Sequence, residues 1–147
     1  FGTGAAWESE FWEDMGASWM PSFDSLRLYL AHFAGQEATT LEVTATHPTE
    51  ASTLWSALRD GLGVDEEGGA VELAGTTGLV ERIGPRHALI RLTGPVPEMI
   101  HAWVHAMGET ESSASLRAYL FSPGAAEYLQ RVEQSWTELL EGLAGPR

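Results

Sequence analysis

The chain predicts an α+β fold in which a long C-terminal helix lies on an antiparallel sheet. Three observations carry that expectation. An alternating run, Ala114-Ser115-Leu116-Arg117-Ala118-Tyr119-Leu120-Phe121, stops at Ser122-Pro123-Gly124. A strongly amphipathic stretch centred on Trp136 follows, so the repeat changes from two residues to 3.6 within three positions, as when a strand hands over to a helix. On that helix Leu129, Val132, Trp136, Leu139 and Leu143 share one face, while Glu127, Gln130, Glu133, Gln134, Glu138 and Glu141 take the other. Three short apolar runs punctuated by turn signals, over 70–74, 77–83 and 87–93, supply a sheet for it to rest on.

The elements can be justified in order. Residues 5 to about 34 read as helix, interrupted near Met20-Pro21 because proline disfavours helix at the residue before it. Trp7, Phe11, Trp12 and Met15 mark the first piece. Ser22 is a candidate cap for the second, whose Leu26, Tyr29, Leu30 and Phe33 fall at helical spacing, and Gly35 ends it. Thr39 to Thr46 alternates and is rich in β-branched residues, which predicts a strand. Pro48 suits the first turn of the next helix, with Leu54, Trp55, Leu58 and Leu62 as its apolar face and Gly61 and Gly63 as its stop. Asp65-Glu66-Glu67-Gly68-Gly69 is a solvated turn. Gly75-Thr76-Thr77-Gly78 and Gly84-Pro85-Arg86 separate the three short strands, and Ala88, Ile90 and Leu92 form the core side of the third.

Residues 98 to 107 fit two patterns. Ile100, Trp103, Val104 and Met107 have helical spacing between Pro97 and Gly108; read as a strand, Met99, His101, Trp103, His105 and Met107 would line one face. The flanking Pro and Gly favour helix. Gly108 to Ser113 then forms a polar loop. The helix ending at Ala34-Gly35 also echoes the one ending at Ala144-Gly145, so residues 1–37 read as a helical segment, comparable to the closing helix of a preceding sister domain, and 38–147 as the main domain. Such a segment could meet an upstream sister domain or a second copy. Phe1 is not a natural start, so the chain reads as a processed or excised piece.

Composition excludes several functions. At 147 residues with 44% hydrophobic residues and six Trp, the chain can bury a real core. No apolar run approaches the roughly 18 residues of a membrane span, and no signal-peptide pattern opens the chain. The absence of Cys excludes disulfides, thiolate metal sites and a cysteine nucleophile, and suits a cytoplasmic setting. The formal charge of −13, with every basic residue an Arg, repels phosphate backbones and argues against nucleic-acid binding. Without Lys there is no Schiff-base chemistry.

Motif evidence for chemistry is thin. His101 and His105 stand four apart, a metal-capable spacing, but the residues between them lack the Glu of the metalloprotease pattern and no third ligand is evident. No Gly-rich phosphate cradle and no Gly-x-Ser-x-Gly elbow occurs. Neither a cofactor nor a set of catalytic residues is implied. Arg91, Arg117 and Tyr119 could orient a substrate, but alternation turns them outward.

Two motifs resemble a known family. Val43-Thr44-Ala45-Thr46-His47-Pro48, continuing to Leu54-Trp55-Ser56-Ala57-Leu58, resembles the opening of the SRPBCC superfamily of START-like, birch-pollen-allergen-like and polyketide-cyclase-like proteins. Tyr119-Leu120-Phe121-Ser122-Pro123, leading into Ser135-Trp136-Thr137-Glu138-Leu139-Leu140, resembles the branch related to the activator of heat-shock-protein ATPase, which includes tandem two-domain members. The chain departs from the family in extra residues between Pro48 and Trp55 and, if 98–107 is helical, in one missing strand.

The resemblance implies a helix-grip fold over about residues 39–145, with a cavity between the sheet and the C-terminal helix. Its lining would come from Trp55, Leu58, Ile90, Leu92, Trp103, Leu116, Leu120, Leu129 and Trp136. It implies non-enzymatic binding of a hydrophobic small molecule, lipid- or polyketide-like. Three alternatives remain open on the same resemblance: a polyketide cyclase or aromatase, a protein sacrificed to an enediyne-type antibiotic, and a co-chaperone-like interaction domain.

Overall fold

The computed structural model describes residues 22–73, 76–93, 98–121 and 125–144. Sequence expectations for 5–21, for Gly75 and for the Ser122-Pro123-Gly124 turn lie outside them. Backbone contacts group the chain into two units, Phe1–Ala34 and Gly35–Arg147. In the first, residues 22–32 form helix α1, which ends in a turn at Gly35 with φ 81°. The expected apolar stripe is only partly buried there: Phe33 is 5% exposed, but Leu26 and Leu30 are 51% and 59% exposed.

In the second unit the elements run β1 (Thr39–His47), α2 (Ala51–Leu62), β2 (Ala70–Leu73), β3 (Thr76–Ile83), β4 (His87–Leu92), β5 (Glu98–Ala106), β6 (Ser112–Leu120) and α3 (Ala125–Glu141), with a short 3₁₀ turn, Gly142–Ala144. The six strands form one sheet in the order β1-β6-β5-β4-β3-β2, and every neighbouring pair is antiparallel. The closing helix on an antiparallel sheet is therefore present.

Residues 98–106 are strand, not the helix that the flanking Pro97 and Gly108 favoured. The segment pairs with β4 on one side and β6 on the other, so both of its backbone edges are satisfied by ladders. From Ile100 its burial follows a period of two, with Ile100, Ala102 and Val104 buried and His101 and Trp103 less so, while Glu98 and Met99 before them are both buried. Long-range pairing thus overrides the helical spacing of Ile100, Trp103, Val104 and Met107. The sheet gains the strand that a helical reading would have removed.

Smaller boundaries shift for local reasons. Pro48 precedes the helix rather than occupying its first turn: Glu50, extended at φ −70° and ψ 154°, stands at the N-cap and α2 starts at Ala51. Gly61 lies inside α2. Gly63 ends it in the left-handed region at φ 70°, its N–H reaching the carbonyls of Arg59 and Asp60, a conformation that costs glycine least. β6 starts at Ser112, inside the expected polar loop, because Ser112 pairs with both His47 and Ala106.

The registers place the core in successive rows across the inner face. Leu41, Ala118, Ile100, Ile90 and Val80 make one row; Val43, Leu116, Ala102 and Ala88 make the next. Against them pack Leu54, Trp55, Leu58 and Leu62 of α2 and Leu129, Val132, Trp136 and Leu140 of α3. Leu140 joins the expected face of α3, whereas Leu139 is half-buried at its border.

Candidate functional site

α3 has its close backbone neighbours in β1 and, to a lesser extent, β6; α2 has its own in β6, β5 and β2. Towards β3 and β4 the helices reach through side chains, Tyr128 of α3 meeting Thr76 of β3. The inner face of those strands carries Val80, Ile90 and Leu92, each 1% exposed or less.

Eight of the nine side chains expected to line a cavity lie in the buried core. Trp55, Leu58, Ile90, Leu92, Leu116, Leu120, Leu129 and Trp136 belong to one buried apolar cluster. Trp103 does not. It sits at an odd position of β5, opposite His87 and Ser115, and so projects from the other face of the sheet. The helical reading of 98–107 had obscured this parity.

On the inner side of β5 one polar residue stands among apolar ones. Glu98 opens β5, between Leu92 of β4 and Leu120 of β6, and is 0% exposed. Among the described residues, neither of its carboxylate oxygens has a hydrogen-bond partner of normal geometry. Burial pushes its pKa up to about 7, an effect that the Tyr128 hydroxyl on α3 only partly offsets. Tyr128 itself is pushed up to about 12, first by burial and then by the neighbouring Glu98 charge, while the Thr76 hydroxyl on β3 acts in the opposite sense. Thr76, Tyr128 and Glu98 thus form a short polar line from β3, through α3, to β5. In the same row Gly78 leaves room for Leu92, whose Cδ2 would be 2.6 Å from a Cβ added there.

A buried carboxyl with a pKa near neutrality can accept or give a proton at working pH. It can also accept hydrogen bonds from a guest that enters its apolar surroundings. Sequence reasoning missed Glu98, Tyr128 and Thr76. Once 98–106 is a strand, however, Glu98 shares its face with Ile100, and that parity was the available signal.

The outer face carries a separate cluster. The His101 ring lies 4.7 Å from that of Trp103 and 5.8 Å from that of His87, and the Arg117 guanidinium stands 5.4 Å over Trp103. Arg117 Nε donates to Glu42 at 2.7 Å, the two being directly paired across β1 and β6. Burial, then the charges of His87 and Arg117, drive the His101 pKa down to about 3, so its imidazole is neutral at ordinary pH. His105 points to the same side but is exposed. Among the described residues no group of three or more His, Asp or Glu side chains could hold a metal ion. Arg91 and Tyr119 also lie on this outer side, Arg91 bonded to Glu81 at 2.7 Å.

No family model matches the chain. No curated protein matches it either. Solved structures do. CalU16 from Micromonospora echinospora superposes with a TM-score of 0.59 at 20% identity, over 72% of this chain and 72% of its own. An HSP90 activator from Plasmodium falciparum gives 0.55 at 18%, over 71% and 92% of the two chains. The Zhui aromatase/cyclase from a Streptomyces species gives 0.56 at 16%, over 74% and 93%. The chain has the helix-grip fold of these structures, as its two sequence motifs implied. No described helix is long and apolar enough to cross a membrane.

Proposed function

We propose that this domain is a non-enzymatic binding protein for a hydrophobic small molecule, lipid- or polyketide-like, held between the sheet and α3. The observation that carries this reading is Glu98, a fully buried carboxyl set among the apolar rows beneath α3 and facing Tyr128. An apolar guest would lie against Ile90, Leu92 and Leu120 of the sheet, under Leu129 and Trp136 of α3, with Trp55 and Leu58 of α2 at its side. Binding sites of this kind are concave and mostly apolar, with few polar groups to fix orientation. Glu98 and Tyr128 supply such groups. The acidic, cysteine-free chain suits a cytoplasmic setting.

A test is a thermal-shift screen with lipophilic probes, each recovered afterwards for mass analysis. Binding raises Tm with probe concentration and returns the probe unchanged. No dose-dependent shift with any apolar probe would contradict the reading.

A second reading rests on Glu98 and Tyr128 alone. A carboxyl whose pKa is about 7, next to a phenol, is equipped for proton transfer of the kind that ring closure in a cyclase requires. Conversion of a polyketide-like probe that stops in Glu98→Gln would favour it; probe recovered intact favours the binding protein.

A further inference from the structure

We propose that the interior recognises lipophilic amines, with the Glu98 carboxylate receiving the ammonium group while the apolar rows hold the rest of the molecule. This rests on the binding reading above and names the ligand class for the same site.

Glu98 is fully buried, and among the described residues its oxygens have no partner of normal geometry and no counter-charge, Tyr128 being the one donor beside them. The described ion pairs, Arg82–Glu67, Arg91–Glu81 and Arg117–Glu42, all lie elsewhere. Across the sheet its neighbours are Leu92 and Leu120, and Gly78 follows in the same row. From β3 the polar group is Thr76; from α3 it is Tyr128, with exposed Arg131 acting on the phenol. A carboxylate offers about four acceptor sites, and the Tyr128 hydroxyl can fill one at most. An unpaired carboxylate in an apolar interior is costly, and a cation that pairs with it removes that cost.

A ligand donor is therefore the missing complement. An ammonium supplies both hydrogen bonds and charge, where an alcohol supplies one hydrogen bond and no charge. The overall charge of −13 also raises the local concentration of cationic guests. A long-range field alone would not discriminate by position, however, so the site is identified by its dependence on Glu98.

The test uses naphthylmethylamine and naphthylmethanol, matched in shape, titrated calorimetrically into the full chain at high salt. At about pH 8 the amine should bind at least about tenfold more tightly than the alcohol, the least that one charge-assisted contact supplies. That preference should vanish in Glu98→Gln and also at about pH 5, where Glu98 is protonated, while the alcohol binds throughout. Tyr128→Phe, which removes the competing donor, should keep or strengthen the preference. Equal affinity for the two probes, or a preference surviving in Glu98→Gln, overturns the amine assignment but leaves the binding reading standing. Failure of both probes to bind wild type overturns the two together.

Discussion

The imidazole of His47, at the end of β1, donates Nε2–H to the backbone carbonyl of Leu140, 2.6 Å away and 93 residues along the chain. A carbonyl only accepts, so the proton sits on Nε2. Both residues are buried, and the bond ties the end of β1 to the last turn of α3, where backbone carbonyls run short of intrahelical donors. Beside it Ser112 Oγ donates to the Thr49 carbonyl at 2.7 Å, fixing the chain where it leaves β1. His47→Ala should cost about 1–3 kcal/mol in urea denaturation, the usual penalty for orphaning a buried carbonyl. His47→Gln, which keeps a donor, should lose less. A wild-type stability for His47→Ala would show that this bond does not hold the helix end.

Trp136 is 5% exposed and sits in the middle of α3's buried face, between Val132 and Leu140. Replacing it with Ala removes a large ring from a packed cluster, so the unfolding free energy should fall by about 3–5 kcal/mol. A loss below about 1 kcal/mol would mean that this side chain does not seat the helix.

The raised pKa of Glu98 makes a signed prediction. Its folded pKa is about 7, against an ordinary value of 4.5, so the folded state binds the proton more tightly than the unfolded state does. The penalty is absent below about pH 4.5, grows up to about pH 7 and is constant above, reaching about 3 kcal/mol in alkaline solution. Glu98→Gln should therefore gain stability over wild type at about pH 8 and little at about pH 4. Denaturation curves at the two values check it; a difference between variant and wild type that is the same at both would refute the assigned shift.

His101 acts in the opposite sense. Its pKa falls from 6.5 to about 3 in the fold, so the unfolded chain takes up the proton first as the solution is acidified. The stability it contributes is complete above about pH 6.5 and is lost as the pH falls towards 3. In His101→Phe, which preserves a ring against Trp103, the loss between about pH 7 and pH 4 should be smaller than in wild type. Between pH 4.5 and 6.5 the two groups oppose each other, so each is visible in its own variant rather than in the wild-type profile.

The fold was legible where hydrophobic periodicity and turn chemistry agree. The alternation ending at Phe121, the amphipathic face around Trp136, and the Ala88, Ile90 and Leu92 side of β4 all correspond to observed elements. Legibility failed at β5, where apolar residues satisfy both periods and the choice is made by pairing with strands close in space. That one ambiguity had two consequences for the site. It placed Trp103 in the interior, although strand parity sends it outward, and it hid Glu98, whose charge resembles a solvated helix start until Ile100 shows which face it shares. Tyr128 was invisible for another reason: its partners Glu98 and Thr76 come from strands that only the assembled sheet brings beneath α3.

Backbone amide shifts, followed by NMR while naphthylmethanol is titrated into the full chain, test the central claim most directly. The account predicts saturable shifts concentrated on the inner rows, at Ile90, Leu92, Leu116 and Leu120, and along α3 from Leu129 to Trp136. No saturable shift, or shifts confined to the outer-face cluster of His101, Trp103 and Arg117, would contradict it.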